Sequence, residues 1–205
     1  YTTLFRSLKT PMTSILGYAD LLRRGTLSPE EQASAADYIF SEGKRLERLS
    51  LKLLDLYLAQ HQQPALVPTA PGEILQDLAY HLAPGLAREG IVLSAESGPG
   101  VCLLEPDLFR SLLLNLVDNS RKALEKGGRI TLTCTMTGTG CRLTVEDNGR
   151  GMPPEVLAHL TEAFYRVDKS RARAQGGAGL GLALCERIAV LHGGAIHFAS
   201  TPGQG

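Results

Sequence analysis

The sequence predicts an α+β protein in two parts, a long helical hairpin over residues 1–62 and an α/β sandwich over residues 73–205. Three observations predict it. Apolar residues recur at alternating spacings of three and four from Tyr1 to Leu22 and again from Leu46 to Leu56. A stretch holding Pro64, Pro68, Pro71 and Gly72 then stops that pattern and reads as a linker over residues 63–72. Beyond it, hairpin-joined strands and helices come in separate runs, which puts the helices on one face of a sheet.

The first helix is predicted over residues 1–25. Tyr1, Phe5, Leu8, Met12, Ile15, Ala19 and Leu22 form a coiled-coil-like seam. Pro11 interrupts it, because a proline removes one helical hydrogen bond and bends the rod. Arg23, Arg24 and Gly25 suit a helix end: cations oppose the negative pole and glycine permits the left-handed cap. Ser28-Pro29-Glu30-Glu31 reads as a capping box opening a second helix that runs to about His61. Leu46, Leu49, Leu53 and Leu56 give that helix its apolar stripe. One hairpin cannot bury both stripes. Either they pack on the rest of the chain, or a symmetric dimer buries them as a four-helix bundle; the expectation is the homodimer.

In the second part, residues 73–88 read as a helix, and 91–95 and 101–104 as strands. A helix follows over 106–126, begun by Pro106. Strands over 129–136 and 141–146 flank Gly138-Thr139-Gly140, a hairpin turn. A short helix near 154–160, a glycine-rich loop, a helix over 180–192 and a strand near 195–200 complete it.

Composition narrows the function classes. Net charge is zero, so nothing global points to nucleic acid. Cys102, Cys134, Cys141 and Cys185 lack Cys-x-x-Cys spacing and sit in apolar settings, which favours buried free thiols and a cytoplasmic compartment. No apolar run reaches the roughly 18 residues that span a bilayer. The chain begins at Tyr1 rather than Met and stops at Gly205, so the expectation is a C-terminally truncated piece of a longer protein.

Four segments carry chemistry. Asn115, Asn119 and Lys122 share one face of the long helix. Amides on a leucine-rich helix need polar partners, and a phosphate chain with Mg²⁺ supplies them, though ordinary half-exposed positions would show the same pattern. Asp147-Asn148-Gly149-Arg150-Gly151 follows a strand. An aspartate there can accept a hydrogen bond from an adenine amino group while Gly149 and Gly151 let backbone approach the base, but Asp-x-Gly-x-Gly is also a common turn. Phe164-Tyr165-Arg166 opens a cationic stretch with Lys169, Arg171 and Arg173, of the length and polarity of a mobile lid or a solvated loop. Gly177-Ala178-Gly179-Leu180-Gly181 leads into a helix, where free N–H groups and the helix dipole make an anion site. No strand precedes it, which disfavours a dinucleotide fold, and it lacks a P-loop's Gly-Lys-Ser/Thr ending.

In this order, the four segments resemble the N, G1, F and G2 boxes of the sensor histidine kinases, within the wider group of gyrase B, the Hsp90 chaperones and MutL. His192-Gly193-Gly194 and Gly203-Gln204-Gly205 also resemble that family's C-terminal turn and glycine pair. The resemblance implies ATP and Mg²⁺ as cofactors. It implies that Asn119 ligates the metal, Asn115 and Lys122 face the phosphates and Asp147 reads adenine. It also implies that Gly177, Gly179 and Gly181 hinge the lid, with Gly149, Gly151, Phe164, Tyr165, Arg166 and Leu180 completing the site. The ATP-hydrolysing relatives carry a glutamate where this chain has Asn115, an amide with no basic lone pair; phosphoryl transfer therefore fits better than hydrolysis. Anti-sigma-factor serine kinases share the asparagine pattern but lack the preceding hairpin. By the same resemblance the partner is a response-regulator receiver domain and the parent protein is membrane-anchored.

One segment departs from the family. Its acceptor motif, His-Glu-x-x-Thr-Pro, is here Arg6-Ser7-Leu8-Lys9-Thr10-Pro11. Arginine stays protonated and cannot accept a phosphoryl group, whereas an imidazole paired with a carboxylate can. Thr10 keeps the position that, by resemblance, orients water for dephosphorylating a response regulator. Two readings follow: a kinase core whose acceptor position is filled by Arg6, or a non-kinase dimer that binds nucleotide and a response regulator as phosphatase or scaffold.

Overall fold

A computed structural model describes residues 2–61, 64–124, 127–138, 140–165, 179–203 and 205; of residues 2–7, 51, 52 and 54–61 it describes the backbone alone. The chain divides into two compact units, with the boundary between Tyr57 and Leu58.

The helical unit holds α1 (Thr2–Arg24) and α2 (Pro29–His61). The predicted capping box forms. Ser28 N–H donates to Glu31 Oε2 at 2.8 Å, and Glu31 N–H donates to Ser28 Oγ at 3.3 Å. The first of these bonds holds the Glu31 carboxyl below its ordinary value. At the other end of the turn, Arg23 and then Arg24 hold Asp20 low. As the predicted helix over 1–25 requires, α1 runs through Pro11, and the proline ring is fully buried. Burial of the ring offsets the hydrogen bond it removes. Ala35 and Leu49 are buried, and the Tyr18 and Tyr38 rings meet at 4.4 Å between centroids. On the predicted seam, Met12 remains 52% exposed, and its neighbour Leu16 is 66% exposed.

The second unit is a mixed sheet with helices on it. β1 (Val67–Thr69) pairs antiparallel with β3 (Cys102–Leu104). β2 (Ile91–Ser97) pairs parallel with β4 (Gly128–Met136), which pairs antiparallel with β5 (Cys141–Asp147) in the order β2-β4-β5. The period of two is visible in β4, where Ile130, Leu132 and Cys134 are all buried. They meet Leu75 and Leu78 of α3 (Pro71–Arg88) and Phe109, Leu113 and Val117 of α4 (Pro106–Ala123) in one core. The apolar residues of α4 recur at intervals of four, so a single stripe faces the sheet. α5 (Pro154–Leu157) is one short turn, and α6 (Gly181–Leu191) buries Leu184, Cys185 and Ile188. All four cysteines are free thiols, two buried and two half-buried, and burial pushes the Cys102 thiol up to about 11.

Four expectations need correction. The stretch read as linker contains β1, and α3 begins at Pro71 rather than residue 73. Pro68 is tolerated because β1 pairs on one side only. α4 ends at Ala123 rather than 126, with Leu124 already extended. The strand near 195–200 is not formed; backbone groups beyond it bond to the loop after β5 instead. The parallel β2–β4 pair was not anticipated, since its partners are joined through β3 and α4 and share no turn signal.

His192 ties the C-terminal end of α6 to the N-cap of α4. Its Nε2 accepts from the Glu105 N–H at 3.0 Å, and its Nδ1–H donates to the Ile188 carbonyl at 2.8 Å, which settles the neutral tautomer. Glu105 is the N-cap of α4, its carboxylate accepting from the N–H groups of Asp107 and Leu108. His192→Ala is therefore expected to destabilise the α/β unit by about 1–3 kcal/mol, read as a lower urea midpoint by circular dichroism. An unchanged midpoint would show the tie to be dispensable.

Candidate nucleotide site

The site is built on the last turns of α4. Asn115 and Asn119 are half-buried on that helix. Asn115 Nδ2–H donates to the Ser111 carbonyl at 2.8 Å. The Nδ2 of Asn119 is buried with no hydrogen-bond partner among the described residues. A buried amide donor left alone costs about 1–3 kcal/mol, so this nitrogen calls for a polar partner beyond the described residues.

Lys122 does not stand free for a phosphate. Its Nζ lies 2.5 Å from Asp118 Oδ2, and Arg121 reaches both Asp118 and Glu89 at 3.1 Å. Burial pulls the Asp118 carboxyl up, but Lys122 and Arg121 outweigh it and hold it below its ordinary value. Asp118 was not singled out in the sequence, although an acid four residues before a lysine on one helix is a legible pairing signal.

The loop after β5 is held from three sides. The Arg150 N–H donates to the Ala123 carbonyl at the end of α4 (3.2 Å). Asn148 bridges to β4, its Oδ1 accepting from the Arg129 N–H at 2.7 Å. From the far end of the chain, Gly203 N–H donates to the Arg150 carbonyl at 2.7 Å. Asp147 Oδ1 accepts from Gly149 N–H at 3.0 Å within the loop. Gly151 has φ +65°, and a side chain there would run into the Thr201 backbone; a Cβ on Gly149 would meet the Ala123 carbonyl at 2.8 Å. Both glycines are thus required by close backbone approach.

The third and fourth segments meet as well. Phe164 N–H donates to the Gly179 carbonyl at 2.7 Å. Phe164 has φ +70°, the sole non-glycine residue in that region among those described. A Cβ on Gly179, itself at φ +70°, would come within 2.8 Å of the Tyr165 carbonyl. Tyr165 stacks near His159 at 5.3 Å, and His159 Nδ1 lies 2.7 Å from Glu162 Oε1. Leu180 is buried, and Gly181 opens α6. Arg166 and Gly177 lie outside the described residues, as do Lys169, Arg171 and Arg173.

Comparison with known proteins bears on these segments. Residues 6–62 match the His Kinase A (phospho-acceptor) domain, and residues 104–205 match the histidine kinase-, DNA gyrase B- and HSP90-like ATPase family. The chain is 32% identical over 204 residues to the sensor histidine kinase YkoH of Bacillus subtilis, covering 97% of this chain and 43% of that protein. The chain belongs to the sensor histidine kinase family. It superposes with a TM-score of 0.71 and 28% identity on full-length ShkA in complex with AMPPNP, covering 99% of this chain and 43% of ShkA. Histidine kinase ThkA, solved in complex with the response regulator TrrA, shares the fold with a TM-score of 0.73 at 19% identity, over 92% of this chain and 53% of ThkA. The chain spans less than half the length of the first curated relatives it matches.

In the hairpin, Arg6 lies on the backbone of α1, its side chain and that of Ser7 outside the described residues. Thr10 is exposed one turn further on. No helix among the described residues is long and apolar enough to cross a membrane.

The ion pairs of Asp118 with Lys122 and Arg121 generate a pH prediction. The folded-state value of Asp118 lies below the ordinary one of about 3.9, so the unfolded chain binds more protons in between. The stability it contributes is present above about pH 4 and lost as pH falls through the folded value. Asp118→Asn should flatten the acid-side fall in denaturant midpoint measured across a pH series; an unchanged slope would mean the pairs contribute nothing there.

Proposed function

We propose that this chain is the ATP-binding and dimerisation core of a two-component sensor kinase. It binds ATP with Mg²⁺ for transfer of the γ-phosphoryl group to a histidine imidazole, ADP leaving, and thence to an aspartate of a response-regulator receiver domain. The observation that carries the reading is the unpartnered, buried Nδ2 of Asn119, on the same helical face as Asn115 and Lys122. Such a carboxamide fits a Mg²⁺-nucleotide, since its nitrogen donates to an oxygen and its own hard oxygen suits the cation. Mg²⁺, when bound, offsets the charge of the phosphate chain. Asn119 would hold it. Lys122 would exchange Asp118 for a phosphate oxygen, while Asp147, with Oδ2 unpaired among the described residues, would accept from the adenine amino group. The N–H groups that open α6 at Gly181 would face phosphate.

The homodimer is supported by Met12, too exposed for a seam residue of a lone hairpin. A response-regulator partner is supported by the shared fold with ThkA. The expected membrane anchor would lie outside this chain.

Arg6 at the acceptor position supports a second reading, a non-kinase dimer acting as phosphatase or scaffold through Thr10. Labelled ATP distinguishes them. The chain as it stands is expected to remain unlabelled, and acid-labile label on it would overturn the assignment of Arg6. Arg6→His with Ser7→Glu is expected to introduce such label; its failure to do so would favour the non-kinase reading. Asp147→Ala should abolish ATP binding in titration calorimetry with the circular dichroism spectrum unchanged. ATP affinity equal to that of the parent chain would sink the nucleotide assignment.

A further inference from the structure

Ser200 lies 53 positions from Asp147 in sequence, yet its hydroxyl sits at the join between the Asp147 loop and the end of the chain. Ser200 Oγ accepts from the Met152 N–H at 2.8 Å and donates to the Gly205 carbonyl at 3.0 Å. One hydroxyl thus serves as donor and acceptor at once, which neither alanine nor any apolar side chain reproduces. The same carbonyl also accepts from the Thr201 N–H at 2.9 Å, closing the 200–205 turn. That turn meets the loop carrying Asp147 by two further routes. Gly203 N–H donates to the Arg150 carbonyl at 2.7 Å, and the Cα of Gly205 is pressed against the Asp147 carbonyl so closely that a Cβ would overlap it. Ser200 is half-buried, and both its partners are main-chain groups.

We infer that Ser200 is a positioning residue for base recognition: through Met152 N and Gly205 O it holds the 200–205 turn against the loop that aims the Asp147 carboxylate at the adenine. The inference rests on the ATP reading above. Ser200 touches no nucleotide itself. Its removal frees the turn, the turn no longer backs the Asp147 carbonyl, and the carboxylate samples more orientations. The loss falls on the base contact and spares contacts to the phosphates, which come from α4 and α6.

The test is titration calorimetry of the whole chain with Mg²⁺-ATP and Mg²⁺-GTP, for Ser200→Ala, Ser200→Thr and Asp147→Ala beside the parent. Ser200→Ala is expected to bind ATP about three- to tenfold more weakly, the scale of one or two neutral hydrogen bonds, with GTP affinity unchanged, so that the preference for ATP narrows. Ser200→Thr, which keeps the hydroxyl, should bind ATP as the parent does. An ATP affinity unaltered in Ser200→Ala overturns the inference. So does an equal loss for both nucleotides, which would make the residue merely structural, or an equal loss in the threonine and alanine variants. Should Asp147→Ala leave ATP binding intact, the ATP reading fails first; should it abolish binding while Ser200→Ala changes nothing, this inference alone fails.

Discussion

The loop after β5 is where three distant stretches of chain meet backbone to backbone, and the rest of the site depends on that contact. The end of α4 approaches it through the Ala123 carbonyl, the start of β4 through Arg129, and the 200–205 turn through Gly203 and Gly205. Main chains packed this closely leave no volume for a Cβ at Gly149 or Gly151. The consequence is mechanical. Asp147 is carried on a segment whose position is set by hydrogen bonds to groups that cannot move without unpicking a helix end or a sheet strand. A carboxylate held in this way can discriminate a base, because its orientation is settled before a ligand arrives.

A second constraint governs α4. The same helix must bury Phe109, Leu113 and Val117 against the sheet and present Asn115, Asn119 and Lys122 on another face. The core stripe fixes the rotation of the helix, and that rotation leaves the Asn119 Nδ2 buried with no hydrogen-bond partner among the described residues. Lys122 shows the converse arrangement: it is satisfied internally by Asp118, so a phosphate bound there would have to replace an existing ion pair. Among the described residues, two neighbouring polar groups on one face thus start from opposite states, one lacking a partner and one already holding it. Phe164 adds strain of the kind that clusters at functional sites, held in the left-handed region by its bond to the Gly179 carbonyl.

The hairpin and the nucleotide unit differ in how completely they match the family. Within the described residues the second unit holds parts of all four segments: the first lies on α4, the second bonds to the end of α4, and the third and fourth meet through Phe164 and Gly179. The hairpin keeps the capping box, the seam and Thr10, while Arg6 and Ser7 replace the acceptor and its acid. Binding and acceptance of a phosphoryl group are therefore separable properties of this chain. They reside on different elements and draw on different chemistry: the nucleotide segments supply backbone N–H groups, amides and one carboxylate, and acceptance requires a nucleophilic nitrogen that a guanidinium does not offer.

Local physics made much of this legible in the residues alone. The capping box at Ser28, the helix start at Pro106, the Gly138–Gly140 turn and the order of the nucleotide segments all depend on neighbours within a few positions, and the residue types there admit few alternatives. The edge strand at Val67–Thr69, the parallel β2–β4 pairing and the abandonment of a strand near 195–200 depend on partners far away in sequence, for which no local pattern exists. The bond from His192 to the α4 cap and that from Ser200 to Met152 belong to the same class, as does the lone nitrogen of Asn119. The sequence by itself determined which groups are present, their helical and strand periods, and the absence of a histidine at position 6. Tertiary structure decided which of those groups are satisfied by one another and which are left to a ligand, because hydrogen-bond satisfaction is a property of distance between chain segments and not of residue type.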